Sequence, residues 1–273
     1  MLDRLLARLK PALALAAAQG ATDGAALAEA ERCAATGDHE QALALLLPLA
    51  QAGSARAQRG IAAAFLGGHG VEKNAEMALK WLSLAAEGGD SHAQRELAEF
   101  HFKGEDGFAD QAKAKLWYRR AAEQGDAASQ DMLSWMLAED EASPDYAEAR
   151  AWALKAAAQG VAAAMTRLGL IYHNALGVER DAVQAAMWWE KAAYRDDGDG
   201  QAMLGAAYHL GSGRARDPVT ALMWLKRAKR HYSHFADRFY EAVWAACTPQ
   251  QREEAERRSQ EPLAAPSETG VRQ

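Results

Sequence analysis

The chain has 273 residues, 49% of them apolar, and its 37 acidic and 31 basic side chains give a formal net charge of −6. That apolar fraction suffices for a buried core and excludes a disordered chain, while the acidic balance argues against broad binding to nucleic-acid backbones, which needs a basic surface. Two cysteines, Cys33 and Cys247, supply neither a disulfide framework nor a metal-ligand spacing.

At the N-terminus, Arg4, Arg8 and Lys10 precede a short alanine-rich stretch, residues 11–18, that loosely imitates a signal peptide. Leu2, Leu5, Leu6 and Leu9 share one helical face, as a packing helix requires. Residues 1–20 are therefore expected to form a helical cap, and the compartment is expected to be cytoplasmic, with periplasmic as the alternative. No run reaches the roughly 20 apolar residues that span a bilayer. Residues 24–36 and 39–52 form a degenerate helix pair that completes an N-terminal region over residues 1–53; Pro48 lies inside its second helix and should bend it.

From residue 54 the chain repeats. Trp81, Trp117, Trp152, Trp188 and Trp224 are separated by 36, 35, 36 and 36 residues. Ala78, Ala114, Ala149, Ala185 and Ala221 precede them by three residues, and Ala85, Ala121, Ala156, Ala192 and Ala228 follow by four. Ile61, Leu97, Leu133, Leu168 and Leu204 keep the same step. Such internal periodicity marks stacked structural units. Each unit reads as two helices. The first carries apolar or small residues at i, i+4, i+5 and i+8, as in Ala57, Ile61, Ala62 and Phe65, and the second runs through the tryptophan. Gly89, Gly125 and Gly160 end second helices, where a left-handed residue costs least. The units fall at about 54–90, 91–126, 127–161, 162–198 and 199–230. The third replaces its inter-helix glycines with residues 139–144, placing Pro144 in the first turn of the next helix, and Asp106-Gly107 departs from the usual loop order.

Beyond the repeats, Tyr232, Phe235, Phe239 and Val243 make an i, i+3, i+7, i+11 stripe suited to covering the last unit, within capping helices over residues 231–260. Thr248-Pro249 with Gln251 is a helix start, Glu253–Arg257 and Glu254–Arg258 are i, i+4 pairs, and residues 261–273 read as a mobile tail.

Small residues at the crossing points let helix backbones approach, and each tryptophan fills the space between units. Burying one removes roughly 150–250 Å² from water, about 4–6 kcal/mol gross as an upper bound. Trp189 occupies a slot held elsewhere by Leu82, Tyr118, Ala153 and Leu225, which suggests half-buried packing. The expected fold is all-α: a right-handed solenoid of antiparallel helix-pair repeats.

The run of Ala164, Leu168, Gly169 and Tyr172, then Leu176-Gly177-Val178, then Trp188, Ala192 and Ala193, resembles the Sel1-like repeats. So does Trp117 with Ala121, Ala122, Gly125 and Asp126, and the resemblance spans about residues 54–230. This bacterial family is similar to tetratricopeptide repeats with slightly longer units. The resemblance implies a non-enzymatic adaptor or scaffold that binds a protein or peptide on a concave surface lined by the first helices, off their core stripe. Carried onto this chain, the partner-facing residues are Arg56, Arg59, His92, Arg95, Glu99, Phe102, Asp131, Trp135, His173 and His209, with Ala63, Leu66, Thr166 and Leu170 beside them. Arg59, Ala63 and Leu66 do share a face away from Ala57, Ile61 and Phe65. Arg56, Arg59, His92 and Arg95 would make the first two units' groove basic, suited to an acidic peptide or a free C-terminal carboxylate; an ordinary mixed-charge face is the alternative. Trp135 stands outside the periodic column and either fills its irregular unit or anchors a ligand.

The sequence holds no phosphate loop, no metalloprotease helix and no nucleophile elbow, so no catalytic residues and no cofactor are expected. His231, His234 and Asp237, at i, i+3, i+6, form a weak metal candidate against the simpler reading of a solvated helix face. Some cysteine-rich relatives of the resembled family bind or hydrolyse β-lactams with a disulfide in each repeat, which this chain lacks. Nucleic-acid binding is disfavoured by the charge.

Overall fold

The computed structural model describes residues 23–104 and 109–263. The cap expected over residues 1–20, the Asp106-Gly107 departure and the tail beyond Leu263 lie outside them. Among the described residues the chain forms fourteen helices and no strand, in two compact units divided in the chain between Ser129 and Gln130. The first unit holds α1 (Asp23–Ala35), α2 (His39–Gln51), α3 (Ala55–Gly67), α4 (Ala75–Glu87), α5 (Ser91–Lys103) and α6 (Gln111–Glu123). Helix α7 (Ala127–Ala138) spans the division. The second unit continues with α8 (Tyr146–Ala158), α9 (Ala162–His173), α10 (Ala182–Ala193), α11 (Gly198–Leu210) and α12 (Pro218–Arg230), and ends with α13 (His234–Ala246) and α14 (Pro249–Gln260). No described helix is long and apolar enough to cross a membrane.

A short-range code ends and starts these helices. Asp38, Asn74, Asp110, Asp145, Asp181 and Asp217 stand 35 or 36 residues apart, and each accepts a backbone N–H from the first turn of a second helix. Asp90, Asp126 and Asp197 do the same for first helices. Each second helix of the repeats closes with a backbone bond from residue i to i−5, as in Asp90 N to Ala85 O and Asp197 N to Ala192 O. The residue before that donor is left-handed: Gly89, Gly125 and Gly160 have φ of +90°, +94° and +91°, and Asp196 and Tyr232 take the same place at +58° and +56°.

Packing follows the columns. Successive helices pack on one another from α1 to α6 and from α8 to α13, and first helices of neighbouring repeats touch, α3 with α5 and α9 with α11. The alanines three before and four after each tryptophan are fully buried, as are Ile61, Leu97, Leu133, Leu168 and Leu204. A second column was not anticipated. Buried Gln58, Gln94 and Gln201 each donate Nε2–H to the carbonyl of the residue eight earlier, Ala50, Ala86 and Ala193, at 3.0–3.2 Å. These side chains tie a first helix to the end of the preceding second helix, adding a donor to a last-turn carbonyl that also accepts a backbone N–H from the turn.

Several expectations are corrected. Trp189 is the largest fully buried side chain, 2% exposed, because Gly169 opposite it has no Cβ: one placed there would collide with the indole. Trp117 and Trp188 are only half-buried, while Trp81, Trp152 and Trp224 are buried. Cations lie over three outer ring faces, Arg120 at 4.5 Å from Trp117, Lys155 at 3.8 Å from Trp152 and Lys191 at 4.4 Å from Trp188. Pro144 precedes the helix cap Asp145 and so sits outside the first turn. Tyr232 is 90% exposed in the turn before α13, so the covering stripe begins at Phe235 and is completed by buried Ala236 and Val243. Helix α14 lies against α12, where Lys226 pairs with Glu256 and Arg230 bonds Ser259; its Thr248–Gln251 capping box is present. Arg257 pairs with Glu254, which it shares with Arg258.

Two glycines separate backbone strain from steric conflict. A Cβ at Gly160 meets nothing within 4 Å but sits at φ +91°, so Gly160→Ala should cost about 1 kcal/mol. Gly169→Ala drives a methyl group into Trp189 and should cost about 2–3 kcal/mol. Urea denaturation of the two variants checks the order, and equal or reversed costs would remove the indole–glycine fit from the account.

Candidate functional site

Of the expected partner-facing residues, Arg56, Arg59 and Ala63 line a groove in the first unit and Trp135, Thr166 and Leu170 line one in the second; His92, Arg95, Glu99, Phe102, Asp131, His173 and His209 line neither. In the first unit a groove of about 400 Å³ lies between α1, α2 and α3. Leu27, Leu43, Leu46, Gly60 and Ala63 line it, with Glu31, His39, Arg56, Arg59, His69 and Glu96 also on its wall. The rings of His39 and His69 stack with centroids 4.8 Å apart.

This groove is not basic. Arg56 reaches Glu31 at 2.6 Å, and Arg59 lies 3.3 Å from Glu96 and 3.7 Å from Asp90. Arg95 reaches Asp126 at 2.7 Å and Glu99 at 3.8 Å. Every arginine of the expected basic set therefore faces a carboxylate from a neighbouring helix or its own next turn. The charge is spent inside the protein, and the mixed-charge alternative describes the surface. Burial pushes the Glu96 carboxyl above the ordinary range, an effect that Arg59 beside it only partly offsets. His92 is exposed and Phe102 half-buried on the same helix.

In the second unit a groove of about 300 Å³ gathers Trp135 from α7, Thr166 and Leu170 from α9, and Phe235 from α13. Glu139, Arg167, Asp197 and Asp199 also line it. Three of these, Trp135, Thr166 and Leu170, are among the residues that the resemblance assigned to the partner face. Trp135 is 38% exposed. Arg167 is tied to Asp131, so that expected contact residue serves as an internal counter-ion. Asp197 accepts from Thr166 Oγ1 at 2.7 Å and from Gly200 N at 2.7 Å, and Asp199 accepts from Ser233 Oγ at 2.6 Å. The three acidic residues went unnoticed because Asp197 reads as a helix cap and Glu139 as a loop; their convergence depends on how α7, α9 and α11 stack.

The expected histidines do not join either groove. His173 packs 5.4 Å from the Trp189 ring, its Nδ1 is buried without a hydrogen-bond partner, and burial, helped by Arg180, pushes its pKa down. His209 offers its carbonyl to Arg216. The metal candidate is split by secondary structure: His231 ends α12 and lies 3.9 Å from Asp196, while His234 begins α13 and Asp237 pairs with Lys229. Among the described residues no three His, Cys, Asp or Glu side chains gather as metal ligands would. Cys33 and Cys247 are free thiols whose pKa burial raises.

Comparison with known proteins places this geometry in a family. The model of the Sel1 repeat matches five times, at residues 55–90, 91–126, 127–161, 162–197 and 198–232. A Sel1 repeat protein from Oxalobacter formigenes is 28% identical, superposes with a TM-score of 0.75 and is matched over 98% of its length and 86% of this chain. A protective antigen of uropathogenic Escherichia coli with an SLR fold is 25% identical, with a TM-score of 0.56 over 89% of this chain; the chain spans 61% of that protein's length. No curated protein matches.

The two kinds of arginine contact differ in consequence. The Arg56–Glu31 pair is more than half exposed on both sides, so Arg56→Ala should change stability by no more than about 0.5 kcal/mol. Arg95→Ala removes the cation from Asp126, whose side chain is 8% exposed and keeps its capping bond from Ser129 N, and should cost about 1–2 kcal/mol after allowance for the partly exposed guanidinium. Chemical denaturation of both variants tests this, and a neutral Arg95→Ala would contradict the ion-pair account.

Proposed function

The chain belongs to the Sel1 repeat family, and on that premise we propose that it is a non-enzymatic adaptor that binds a partner protein or peptide along the exposed sides of its first helices. Proteins of this repeat family generally act through protein–protein contacts. The observation that carries the reading is Trp135. Its repeat position holds Ala63, Glu99, Leu170 and Ala206 in the other units, and here an indole stands 38% exposed at the wall of a groove. An indole half out of water at the wall of an apolar groove is the kind of side chain that a partner buries, and tryptophan is among the residues most enriched in interface anchors. The groove's floor, from Leu170, Ile171 and Phe235, supplies the apolar contact that such an anchor needs.

The groove of the first unit supports the same reading differently. Its ion pairs leave little net charge, so a partner there would be held by the apolar wall of Leu27, Leu43 and Leu46 and not by charge. Both surfaces lie on or beside first helices, away from the tryptophan column.

Panning a random peptide display library on the intact chain tests the proposal. Enriched peptides should bind the wild type and lose about tenfold or more in affinity on Trp135→Ala, with unchanged helical content by circular dichroism. Peptides that bind the variant as tightly as the wild type would show Trp135 to be a filler and sink the reading.

A further inference from the structure

We propose that the Trp135 groove selects a partner segment carrying a basic side chain beside an apolar one. This rests on the adaptor reading and names the chemistry of its ligand. Three carboxylates line the groove, Glu139, Asp197 and Asp199, against one guanidinium, Arg167. That guanidinium is occupied by the Asp131 carboxylate and carbonyl. Among the described residues no cation pairs with Glu139, Asp197 or Asp199, in contrast to the first unit, where each arginine of the groove meets an acid.

The hydrogen bonds at the groove orient the acids without neutralising them. Thr166 and Gly200 N both donate to Asp197 Oδ1, and Ser233 donates to Asp199 Oδ1, which leaves Oδ2 of each for an outside donor. The N-terminus of α11 offsets part of the charge on these two, whereas Glu139 follows the C-terminus of α7, whose carbonyl end adds to the negative potential. An arginine or lysine side chain fits both halves of the site. Its aliphatic stem lies on Trp135 and Leu170, and its cation meets the carboxylates in charge-assisted hydrogen bonds. A volume of about 300 Å³ takes one such side chain with an apolar neighbour. An acidic segment would place like charges together and is selected against.

The peptides recovered from the display library decide the matter. Those dependent on Trp135 should be enriched in arginine or lysine, and replacing the basic residue of a synthetic arginine peptide by citrulline should weaken binding about tenfold. The double variant Glu139→Gln, Asp199→Asn keeps acceptors for the existing bonds; it should weaken the arginine peptide by a similar factor and leave the citrulline peptide unchanged. Trp135-dependent peptides without basic enrichment, or equal binding of arginine and citrulline forms, would overturn the charge selection and leave the adaptor reading standing. A library yielding no Trp135-dependent peptide would overturn both.

Discussion

Helix backbones come within about 8–10 Å of each other only where side chains at the crossing are small enough to interdigitate. In this protein the small residues are the alanines flanking each tryptophan, all without exposed surface, and the residues facing the second helices from the first. Size is traded between facing columns. Gly169 receives the indole of Trp189, and Gly205 receives Leu225. In both of these repeats the small and large partners lie twenty residues apart, so a change on one side must be matched on the other. Helix order, turn geometry and the position of every groove depend on that fit being kept through successive units.

The turns carry a second, cheaper level of specification. One acidic or amide side chain caps a helix, one left-handed residue ends the previous one, and a buried glutamine joins the two across a repeat boundary. Where the pattern lapses the structure shows how. Met165 stands at the glutamine position of the fourth repeat, and Val161 begins α9 with no side-chain cap. Asp140 replaces the missing glycines of the third repeat by accepting backbone N–H groups from Ala142 and Ser143, an Asx-type turn. Asp196 and Tyr232 hold left-handed conformations that glycine adopts elsewhere.

Electrostatics separates the two grooves. In the first unit Arg59 and Arg95 meet the acids that cap the following first helix, which serves the stack and leaves little charge for a ligand. In the second, the arginine is again consumed internally, but the surplus is acidic and sits beside an exposed indole. A net charge of −6 therefore says nothing about either groove; the sign of each depends on which side chains find partners.

The all-α class, the 36-residue step, the tryptophan and alanine columns and the left-handed glycines were legible in the sequence, because periodicity and turn chemistry are local properties of a chain. The glutamine column and the capping aspartates were legible too, keeping the same step as the tryptophans, yet polar residues are not where a search for a core looks. Depth and charge were not legible. Trp188 and Trp189 are neighbours on one helix, and only the glycine twenty residues upstream decides which indole is buried. Arg56 and Arg59 share a helical face, Arg95 repeats the Arg59 position one unit on, and together they would sum to a basic surface, but their carboxylate partners lie up to 37 residues away. Stacking brings those partners within reach, and a Coulomb interaction is set by distance in space, which the linear spacing of one helix does not contain.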